Sequence, residues 1–179
     1  MVSKKAKFMI RKMKIDDLLS EVRQVRSFYS ERKHNPDFGY SFAKKKPSEW
    51  DLLQNLQWRN KGLENGDMIG SVAEADGKFI GQCSLFCLWP KSEMDHVGEL
   101  DIAVNEEYRR MGVGAALLKD VLKRNKGRFK VIQTYVFTNN EGSIKLMKKF
   151  GFRTVGIVPK MTRRNGRYFD DYVMYLDLS

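Results

Sequence analysis

The sequence predicts one α/β (α+β) domain, in which helices cover the faces of a mixed β-sheet. The chain has 179 residues, a length typical of a single domain. Hydrophobic residues make up 42% and charged residues 31%, as in a globular protein. Segments with apolar residues at every second position alternate with segments of helical spacing. This order of elements predicts a single domain, residues 1–179, built on a mixed sheet.

The first third of the chain predicts one strand and two helices. The stretch KFMIRKMKI predicts the strand, and Asp16 and Asp17 are expected to cap a helix that ends near Arg32. After a loop that contains Pro36 and Gly39, Ser48 is expected to begin a second helix that stops near Gly62. Both helices carry apolar residues at helical spacing: Leu18, Leu19, Val22, Val25 and Phe28 in the first, and Trp50, Leu53 and Leu56 in the second.

The rest of the chain predicts six strands and two helices. The stretches MIGSVAEA and KFIGQCSLFCLW, joined by Asp76 and Gly77, predict a β-hairpin. The segment VGELDIAV, from Val97 to Val104, predicts the next strand, and GAALLKDVLKRN predicts the third helix. The order ends with a strand VIQTYVF, a helix from about Asn140 to Phe150, a strand GFRTVGIV, a turn at Asn165 and Gly166, and a strand YFDDYVMYLDL.

The segment RRMGVG, between the fourth strand and the third helix, predicts an anion-binding turn. A helix N-terminus leaves backbone amides without partners and carries a partial positive charge. Gly112 and Gly114 would let phosphate oxygens approach these amides, and Arg109 and Arg110 would add charge at the rim. The spacing matches neither the GxxxxGK(S/T) nucleotide loop nor a complete GxGxxG motif.

Two segments resemble the GNAT superfamily of N-acetyltransferases. The stretch AVNEEYRRMGVGAALL is similar to its acetyl-CoA signature, with Arg109, Gly112 and Gly114 in the three defined positions. The stretch NEGSIKLMKKFGF resembles the pattern NxxAxxLYxxxGF, with Ser143 in place of the alanine and Met147 in place of the tyrosine. The resemblance implies a GNAT-like, mostly antiparallel sheet of about seven strands flanked by about four helices. It also implies an enzyme that transfers acetyl from acetyl-CoA to a primary amine by direct attack.

The same resemblance implies where coenzyme A binds. Backbone groups of the fourth strand would pair with the pantetheine arm like an added strand, and amides of the turn would hold the pyrophosphate. Lys145 and Lys149 would lie near the adenosine phosphate or face solvent. The residues expected at the cofactor are Ile102, Ala103, Val104, Arg109, Arg110, Met111, Gly112, Val113, Gly114, Ala115, Asn140, Ser143, Met147 and Lys149.

Two carboxylates on the fourth strand are candidates for the base of such a reaction. An ammonium group cannot attack a carbonyl, so a base must first remove a proton. Glu99 and Asp101 share one strand face, opposite Leu100, and either is a candidate for the base or for an anchor of the amine. Pairing with a neighbouring arginine or lysine is the structural alternative. The resemblance implies that an amide near Ala103 or Val104 stabilises the oxyanion.

The acid that protonates the leaving thiolate is left open, because Met147 replaces the tyrosine that many family members use. Tyr135, Tyr168 and Tyr172 are candidates, and loss of the free thiolate to water is the alternative. The acceptor is expected over the first two helices and the hairpin PKMTRRNGRYFDD. This end of the chain is similar to members that acetylate amino acid analogues, polyamines or ribosomal protein N-termini.

The net charge of the chain narrows the classes of molecule that it is expected to bind. The net charge of +11 favours anionic partners, among them a nucleotide cofactor, RNA, an acidic protein and a phospholipid surface. The alternatives to an enzyme are a CoA-binding GNAT-like module without transfer activity and an RNA- or ribosome-associated factor. The sequence shows neither an RNP-like aromatic pair nor a GXXG loop. Dimers are common in the superfamily, so a homodimer is an open alternative to a monomer.

The sequence predicts neither a metal site nor a membrane segment. Cys83 and Cys87 would lie about 13 Å apart in one strand, too far for a disulfide or a shared metal ion. No apolar run approaches the roughly 20 residues that cross a bilayer, and no stretch resembles a signal peptide. We therefore expect a cytoplasmic protein.

Overall fold

The computed structural model describes residues 7–35, 39–40 and 47–179, which form a seven-stranded sheet with helices packed on both faces. The strands are β1 (Met9–Lys12), β2 (Met68–Ala75), β3 (Lys78–Cys87), β4 (Val97–Val104), β5 (Val131–Phe137), β6 (Arg153–Arg164) and β7 (Arg167–Asp177). The helices are α1 (Asp17–His34), α2 (Glu49–Asn65), α3 (Val113–Asn125) and α4 (Glu141–Lys149). The predicted fold class is confirmed, with a short 3₁₀ turn, Glu106–Tyr108, between β4 and α3.

The sheet separates in the middle, between β4 and β5. The strand order is β1-β2-β3-β4-β5-β7-β6, and the pairs are antiparallel except for β4 with β5. That parallel pair is three residues long, and it ends where Glu99 faces Gln133. On its other edge β4 stays paired with β3 as far as Val104. The second half of β4 therefore has one open edge.

The two faces of the sheet pack against different helices. Because neighbouring residues of a strand point to opposite faces, β2 contributes to two separate clusters. Ala73 lies in the main core with Leu117 of α3, whereas Val72 packs with Leu18 of α1. A third contact joins Phe28 of α1 to Ala103 of β4. Helix α1 therefore covers the face of β4 that carries Glu99 and Asp101, four and two residues before Ala103.

The predicted N-terminal capping is wrong for α1 and confirmed for α2. Asp16 occupies the N-cap position of α1 but its side chain makes no capping hydrogen bond, and Asp17 binds the guanidinium of Arg11 at 2.6 Å. Capping of α1 by these aspartates is therefore wrong. For α2 the predicted start is confirmed, because Ser48 and Asp51 form a reciprocal capping box.

Helix α2 is longer than predicted. The helix continues to Asn65 and is closed by Gly66, whose φ of 82° is the left-handed conformation typical of a C-cap. Gly62 lies within the helix instead, where a β-carbon would come within 3.1 Å of Met68 on β2. This glycine provides a close approach between helix and sheet rather than a stop.

The buried face of α1 is not the predicted apolar one. Leu19 is 56% exposed, and Val22 and Val25 are only partly buried. The buried face includes Leu18 and Phe28 and also three polar side chains, Glu21, Gln24 and Glu31. Gln24 and Glu31 bind Asn105 and Arg109, which follow β4, and Glu21 pairs with Arg59 of α2.

Other predicted bounds shift by a few residues. β6 continues past Val158 to Arg164, because its pairing with β7 resumes after an irregularity and runs to the turn at Asn165 and Gly166. The turns at Asp76–Gly77 and Asn165–Gly166 are confirmed. Helix α1 ends at His34 rather than near Arg32, β1 is shorter than KFMIRKMKI, β3 ends before Trp89, and α3 begins at Val113. The loop predicted between α1 and α2 lies partly outside the described residues, Pro36 included.

Candidate active site

A cavity of about 570 Å³ opens where β4 and β5 separate. Its walls are the end of β4, the turn before α3, the start of α4, and the side chains of Phe28 and Tyr40. Most of the residues predicted at the cofactor line it: Ile102, Ala103, Val104, Arg109, Arg110, Gly112, Gly114, Ala115, Asn140 and Ser143. The geometry thus brings the two sequence motifs to opposite sides of one cavity.

The backbone of β4 presents alternate residues to this gap. The amide of Asn105 donates to the carbonyl oxygen of Ile80 on β3 at 2.9 Å. Along an antiparallel pair the inward and outward residues alternate, so the backbone groups of Ile102 and Val104 face the open edge. The backbone groups of Ala103 face β3 instead, so this residue contributes its side chain rather than its amide to the site.

The turn before α3 presents unpaired amides. The first helical hydrogen bond runs from Ala116 to Gly112 at 3.0 Å, and among the described residues no acceptor is found for the amides of residues 110–115. Gly112 has a φ of 88°, a conformation that favours glycine. A β-carbon at Gly112 would meet nothing within 4 Å, and one at Gly114 would meet Leu146 at 3.4 Å. The space over Gly112 is therefore open to a ligand.

Arg109 lines the cavity, and its guanidinium also binds neighbouring groups of the protein. Its Nε donates to the carbonyl oxygen of Val104 at 2.9 Å, and its two terminal nitrogens contact both carboxylate oxygens of Glu31. Arg109 was expected to add charge at the rim, and in the structure its charge is paired with Glu31. Arg110 is exposed, with a φ of 61°, and it is the arginine that lies at the open rim.

The start of α4 forms the far wall of the cavity. The side-chain oxygen of Asn140 accepts the amide of Ser143 at 3.1 Å, which caps the helix. The other end of the same amide group donates to the carbonyl oxygen of Gly39 at 3.4 Å. Lys145 forms an exposed ion pair with Glu141 at 2.8 Å. Asn140 therefore links Gly39 to the start of α4.

Four predicted cofactor residues do not line the cavity in the described part of the chain: Met111, Val113, Met147 and Lys149. Val113 and Met147 are each 1% exposed, and both belong to the main core. Their side chains are buried because α3 and α4 turn these positions towards the sheet. Met111 and Lys149 are exposed outside the cavity wall.

The two candidate carboxylates lie in different surroundings. Asp101 accepts hydrogen bonds from the hydroxyl of Tyr40 at 2.9 and 3.0 Å and from Nε2 of Gln82 at 2.9 Å. Glu99 is half-buried and has a long contact, 3.5 Å, with Nε2 of Gln133. Burial raises the pKa of Glu99, and the charge of Asp101 adds to this effect, while the Gln133 contact opposes it. Neither acid is paired with an arginine or lysine in the described structure.

A buried polar group lies behind Asp101 and was not predicted. Glu21 of α1 pairs with Arg59 of α2 at 2.7 Å, and Arg59 contacts the hydroxyl of Ser84 on β3 at 3.3 Å. Burial raises the pKa of Glu21 to about 7; Arg59 opposes this shift and Asp101 increases it. The available signal was the pattern of α1, where Glu21 recurs at helical spacing with Leu18 and Phe28.

The tyrosines near the gap differ in their exposure and in the groups that they contact. Tyr135 is 41% exposed and shares a face of β5 with Gln133, the partner of Glu99. Tyr168 is exposed on β7, whereas Tyr172 packs against the main core. Tyr40, which sequence reasoning missed, lines the cavity, and burial followed by the charge of Asp101 raises its pKa well above the usual value.

The described residues form neither a metal site nor a membrane-spanning helix. Among them, no group of three or more His, Cys, Asp and Glu side chains is arranged to hold a metal ion. Cys83 and Cys87 are buried free thiols. No helix in the described chain has the length and apolar composition of a membrane span.

The open strand edge and the amide-lined turn define the class of protein. They suit an extended ligand that carries phosphates at one end and pairs with a strand along its length. An acyl-CoA has this form, and the residues present fit it. The sequence model of the acetyltransferase (GNAT) family matches residues 26–152.

Known proteins similar to this chain agree with the family match. The L-amino acid N-acetyltransferase AaaT of Escherichia coli is 29% identical over 119 residues, which cover 65% of this chain and 73% of that protein. The ribosomal-protein-alanine N-acetyltransferase from Brucella melitensis has a TM-score of 0.77 at 23% identity, covering 95% of this chain and 99% of that one. The Salmonella typhimurium protein yncA, solved with acetyl-CoA, has a TM-score of 0.79 at 19% identity, covering 97% and 95%.

This chain therefore belongs to the GNAT acetyltransferase family. It is an N-acetyltransferase whose cosubstrate is acetyl-CoA. The function predicted from the two motifs is confirmed at this level, and the acceptor and the roles of individual residues belong to the proposals below.

Proposed function

We propose that the enzyme transfers acetyl directly from acetyl-CoA to a primary amine in a ternary complex, with Glu99 as the base. The position of Glu99 carries this proposal, because it is the last residue of β4 that pairs with β5. An amine at the apex of the gap would lie beside Glu99 and next to a thioester held along β4. The raised pKa of Glu99 brings it closer to the pH at which a base is effective.

Asp101 is the other candidate base, and its contacts favour a positioning role. Its carboxylate already accepts from two donors, the hydroxyl of Tyr40, which lies between its two oxygens, and Nε2 of Gln82, whereas Glu99 has the one long contact with Gln133 within the described structure. A base needs a lone pair that is available to the proton it removes. We therefore assign proton removal to Glu99 and the orientation of Tyr40 to Asp101.

The reaction steps follow from this arrangement. Glu99 takes a proton from the ammonium group, directly or through water, and the nitrogen forms a bond to the thioester carbon. The amide of Val104, which faces the gap, donates to the oxygen that becomes negative. The carbon–sulfur bond then breaks, the thiolate of CoA leaves, and the nitrogen gives up its second proton to water, which leaves the neutral amide. We assign its protonation to Tyr135, on the same face of β5 as Gln133.

The amide turn and α4 would hold the rest of the cofactor. Amides of residues 110–115 would bind the diphosphate, and Ile102 and Val104 would pair with the pantetheine arm. Asn140 and Ser143 would flank the arm on the far side. These residues bind and orient the thioester, which supplies the activated acetyl group.

The acceptor, location and domain organisation belong to the same proposal. A relative named as an L-amino acid N-acetyltransferase supports an amino acid or a similar small amine. Two free thiols and the use of acetyl-CoA support a cytoplasmic location. The common sheet through all described strands supports a single domain.

Two alternatives remain as outcomes of the test. One is a module that binds CoA without transferring acetyl, and Met147 in place of the family tyrosine is the feature that favours it. The other is an RNA- or ribosome-associated factor, favoured by the net charge of +11. The half-buried carboxylate at the apex of the gap favours catalysis over both.

The test measures CoA release with amino acids, polyamines and N-terminal peptides, together with calorimetric binding of CoA. Glu99→Gln should lower kcat/KM by about 100-fold or more, as expected for loss of a general base, without changing CoA affinity. Glu93→Gln is the matched control, because Glu93 is an exposed acid in the β3–β4 loop. Wild-type turnover in Glu99→Gln would remove Glu99 from the mechanism. Tight CoA binding without turnover for any amine would support the binding module.

A further inference from the structure

Two aromatic rings form one wall of the cofactor cavity, on the face of β4 that carries Glu99. They belong to Phe28 of α1 and to Tyr40, which lies between α1 and α2, and both residues line the cavity. The ring centroids are 5.0 Å apart, with 50° between the ring planes. Phe28 is 1% exposed and packs with Tyr40 on Ala103. This aromatic wall, Phe28 and Tyr40, therefore covers the open part of β4.

Tyr40 is held both at its hydroxyl and at its backbone. The hydroxyl donates to the carboxylate of Asp101, whose two oxygens lie at 2.9 and 3.0 Å. The carbonyl oxygen of Tyr40 accepts a hydrogen bond from Arg164 at 2.9 Å. The carbonyl oxygen of Gly39 accepts one from Asn140 at 3.4 Å, and a β-carbon at Gly39 would come within 2.2 Å of Nδ2 of Asn140. These contacts fix Tyr40 relative to β4, β6 and α4, which limits the positions open to its ring.

Phe28 is fixed as well, because α1 is joined to the chain that follows β4. Glu31, one helical turn after Phe28, accepts both terminal nitrogens of Arg109. Gln24, one turn before Phe28, donates to Asn105 at 2.7 Å. The aromatic wall therefore rests on two anchored segments. A ligand that needs more room must displace packed side chains, which is costly in a closely packed interior.

The aromatic wall lies where the acyl end of the cofactor is expected. In the proposed function the diphosphate binds at residues 110–115, and the pantetheine arm runs along the open edge of β4 towards Glu99. Asp101, which binds the hydroxyl of Tyr40, lies between Val104 and Glu99, about 10 Å along the strand from Val104. The ring of Tyr40 thus lies beside the stretch of β4 that would carry the thioester. The acyl group would lie against the aromatic wall.

We infer that Phe28 and Tyr40 determine the acyl-chain specificity, so that the cavity accepts acetyl and rejects longer acyl groups. This inference rests on the proposed function, because it takes the thioester to lie along β4. The cause is steric, since each added methylene of a propionyl or butyryl group would have to enter space that the two rings fill. Asp101 acts through Tyr40 as a positioning residue. The two rings take no part in proton transfer.

The test compares acetyl-CoA, propionyl-CoA and butyryl-CoA with one amine acceptor. In the wild type kcat/KM should fall by about 10-fold or more for each added methylene, the discrimination that a packed apolar pocket provides. Tyr40→Ala opens the wall and should reduce this preference by about 10-fold or more, whatever its effect on the rate with acetyl-CoA. Tyr40→Phe keeps the ring and should keep most of the preference. A wild type that uses butyryl-CoA as well as acetyl-CoA would overturn the inference.

Tyr29→Ala is the matched control. Tyr29 follows Phe28 on α1 and loses the same ring, but it does not belong to the described lining of the cavity. Thermal unfolding of both alanine variants measures any loss of stability separately. Tyr29→Ala should keep the wild-type preference for acetyl-CoA. An equal change of preference in both variants would show a general structural effect and contradict the inference. The same contradiction follows if Tyr40→Ala is slower with every acyl-CoA in the same proportion.

Calorimetry separates this inference from the proposed function. S-ethyl-CoA and S-butyl-CoA are thioethers, which carry chains of two and four carbons but cannot transfer them. The wild type should bind S-butyl-CoA about 10-fold or more weakly than S-ethyl-CoA, and Tyr40→Ala should bind the two more equally. Equal affinities in the wild type would refute the inference even if the enzyme transfers acetyl. Absence of turnover with every amine would refute the proposed function, whereas a chain-length preference in binding that depends on Tyr40 would still support the role of the aromatic wall.

Discussion

Gly112 is the residue at which the proposed phosphate site is tested most directly. The glycine has a φ of 88°, and a β-carbon there would meet no atom of the protein within 4 Å. A side chain at this position is therefore strained but not excluded by packing. Gly112→Glu should place a carboxylate beside the amides of residues 110–115, where we propose that the diphosphate binds, and should abolish CoA binding while the protein stays folded.

The expected losses of stability and of CoA affinity in Gly112→Glu come from two separate effects, backbone strain and charge repulsion. A non-glycine residue in the left-handed conformation costs about 1–2 kcal/mol, which lowers Tm by roughly 2–8 °C for a chain of this size. A carboxylate about 5 Å from one phosphate charge costs roughly 3 kcal/mol at an effective dielectric constant of about 20, or at least 100-fold in affinity. Gly112→Ala carries the strain without the charge and should weaken CoA less.

Gly66 provides a control with nearly the same backbone. It has a φ of 82°, it borders a helix as the C-cap of α2, and a β-carbon there would likewise meet nothing within 4 Å. Gly66→Glu should therefore lower Tm by a similar amount and leave CoA affinity unchanged. Thermal unfolding and calorimetry of both variants measure the two terms separately. Wild-type CoA affinity in folded Gly112→Glu would refute the placement of the diphosphate at this turn.

Three further predictions concern Glu99, Glu21 and Met147. The pH profile of kcat/KM should rise as Glu99 loses its proton, above the usual range for a glutamate because its pKa is raised, and this limb should be missing in Glu99→Gln. Since Asp101 contributes to that shift, Asp101→Asn should move the limb to lower pH. Burial raises the pKa of Glu21 from its ordinary 4.5 to about 7 in the folded protein, so the unfolding free energy should fall by an amount of order 3 kcal/mol as pH rises through this range. Denaturation at several pH values checks this, and the unfolding free energy of Glu21→Gln should depend less on pH. Met147→Ala should lower the unfolding free energy by about 2–5 kcal/mol, because the side chain of Met147 is buried in the core. If a stable variant showed a large change in CoA affinity, Met147 would instead belong to the cofactor site.

The cofactor side of the enzyme could be predicted from the sequence because its determinants are local. A diphosphate turn is a strand end, two glycines and a helix start within a few residues, and Gly112, Gly114 and Ala115 line the cavity as expected. Hydrophobic periodicity located the strands for a similar reason, since alternation depends on neighbours along the chain. The bounds of β4 and β5 are those predicted.

The proposed acceptor side could not be predicted in the same way, because its contacts join residues far apart in sequence. Tyr40 meets Asp101, 61 positions later, and Arg164 meets Tyr40 from 124 positions later. Glu21 could not be predicted from apolar periodicity, because the buried face of α1 is partly polar. A charged residue at the spacing of Leu18 and Phe28 was the local sign of this arrangement.

Arg109 shows that a residue of a family motif can also have a structural role that the motif alone does not reveal. Its guanidinium ties Glu31 of α1 to the carbonyl oxygen of Val104, at the end of the strand that borders the gap. Gln24 makes a parallel link to Asn105 at 2.7 Å. These bonds fix the helix that covers the acceptor face to the strand that would carry the thioester. Since direct transfer requires the amine and the thioester carbon to be held in one geometry, a rigid joint between their two supports serves the reaction as much as a charge on the phosphates would.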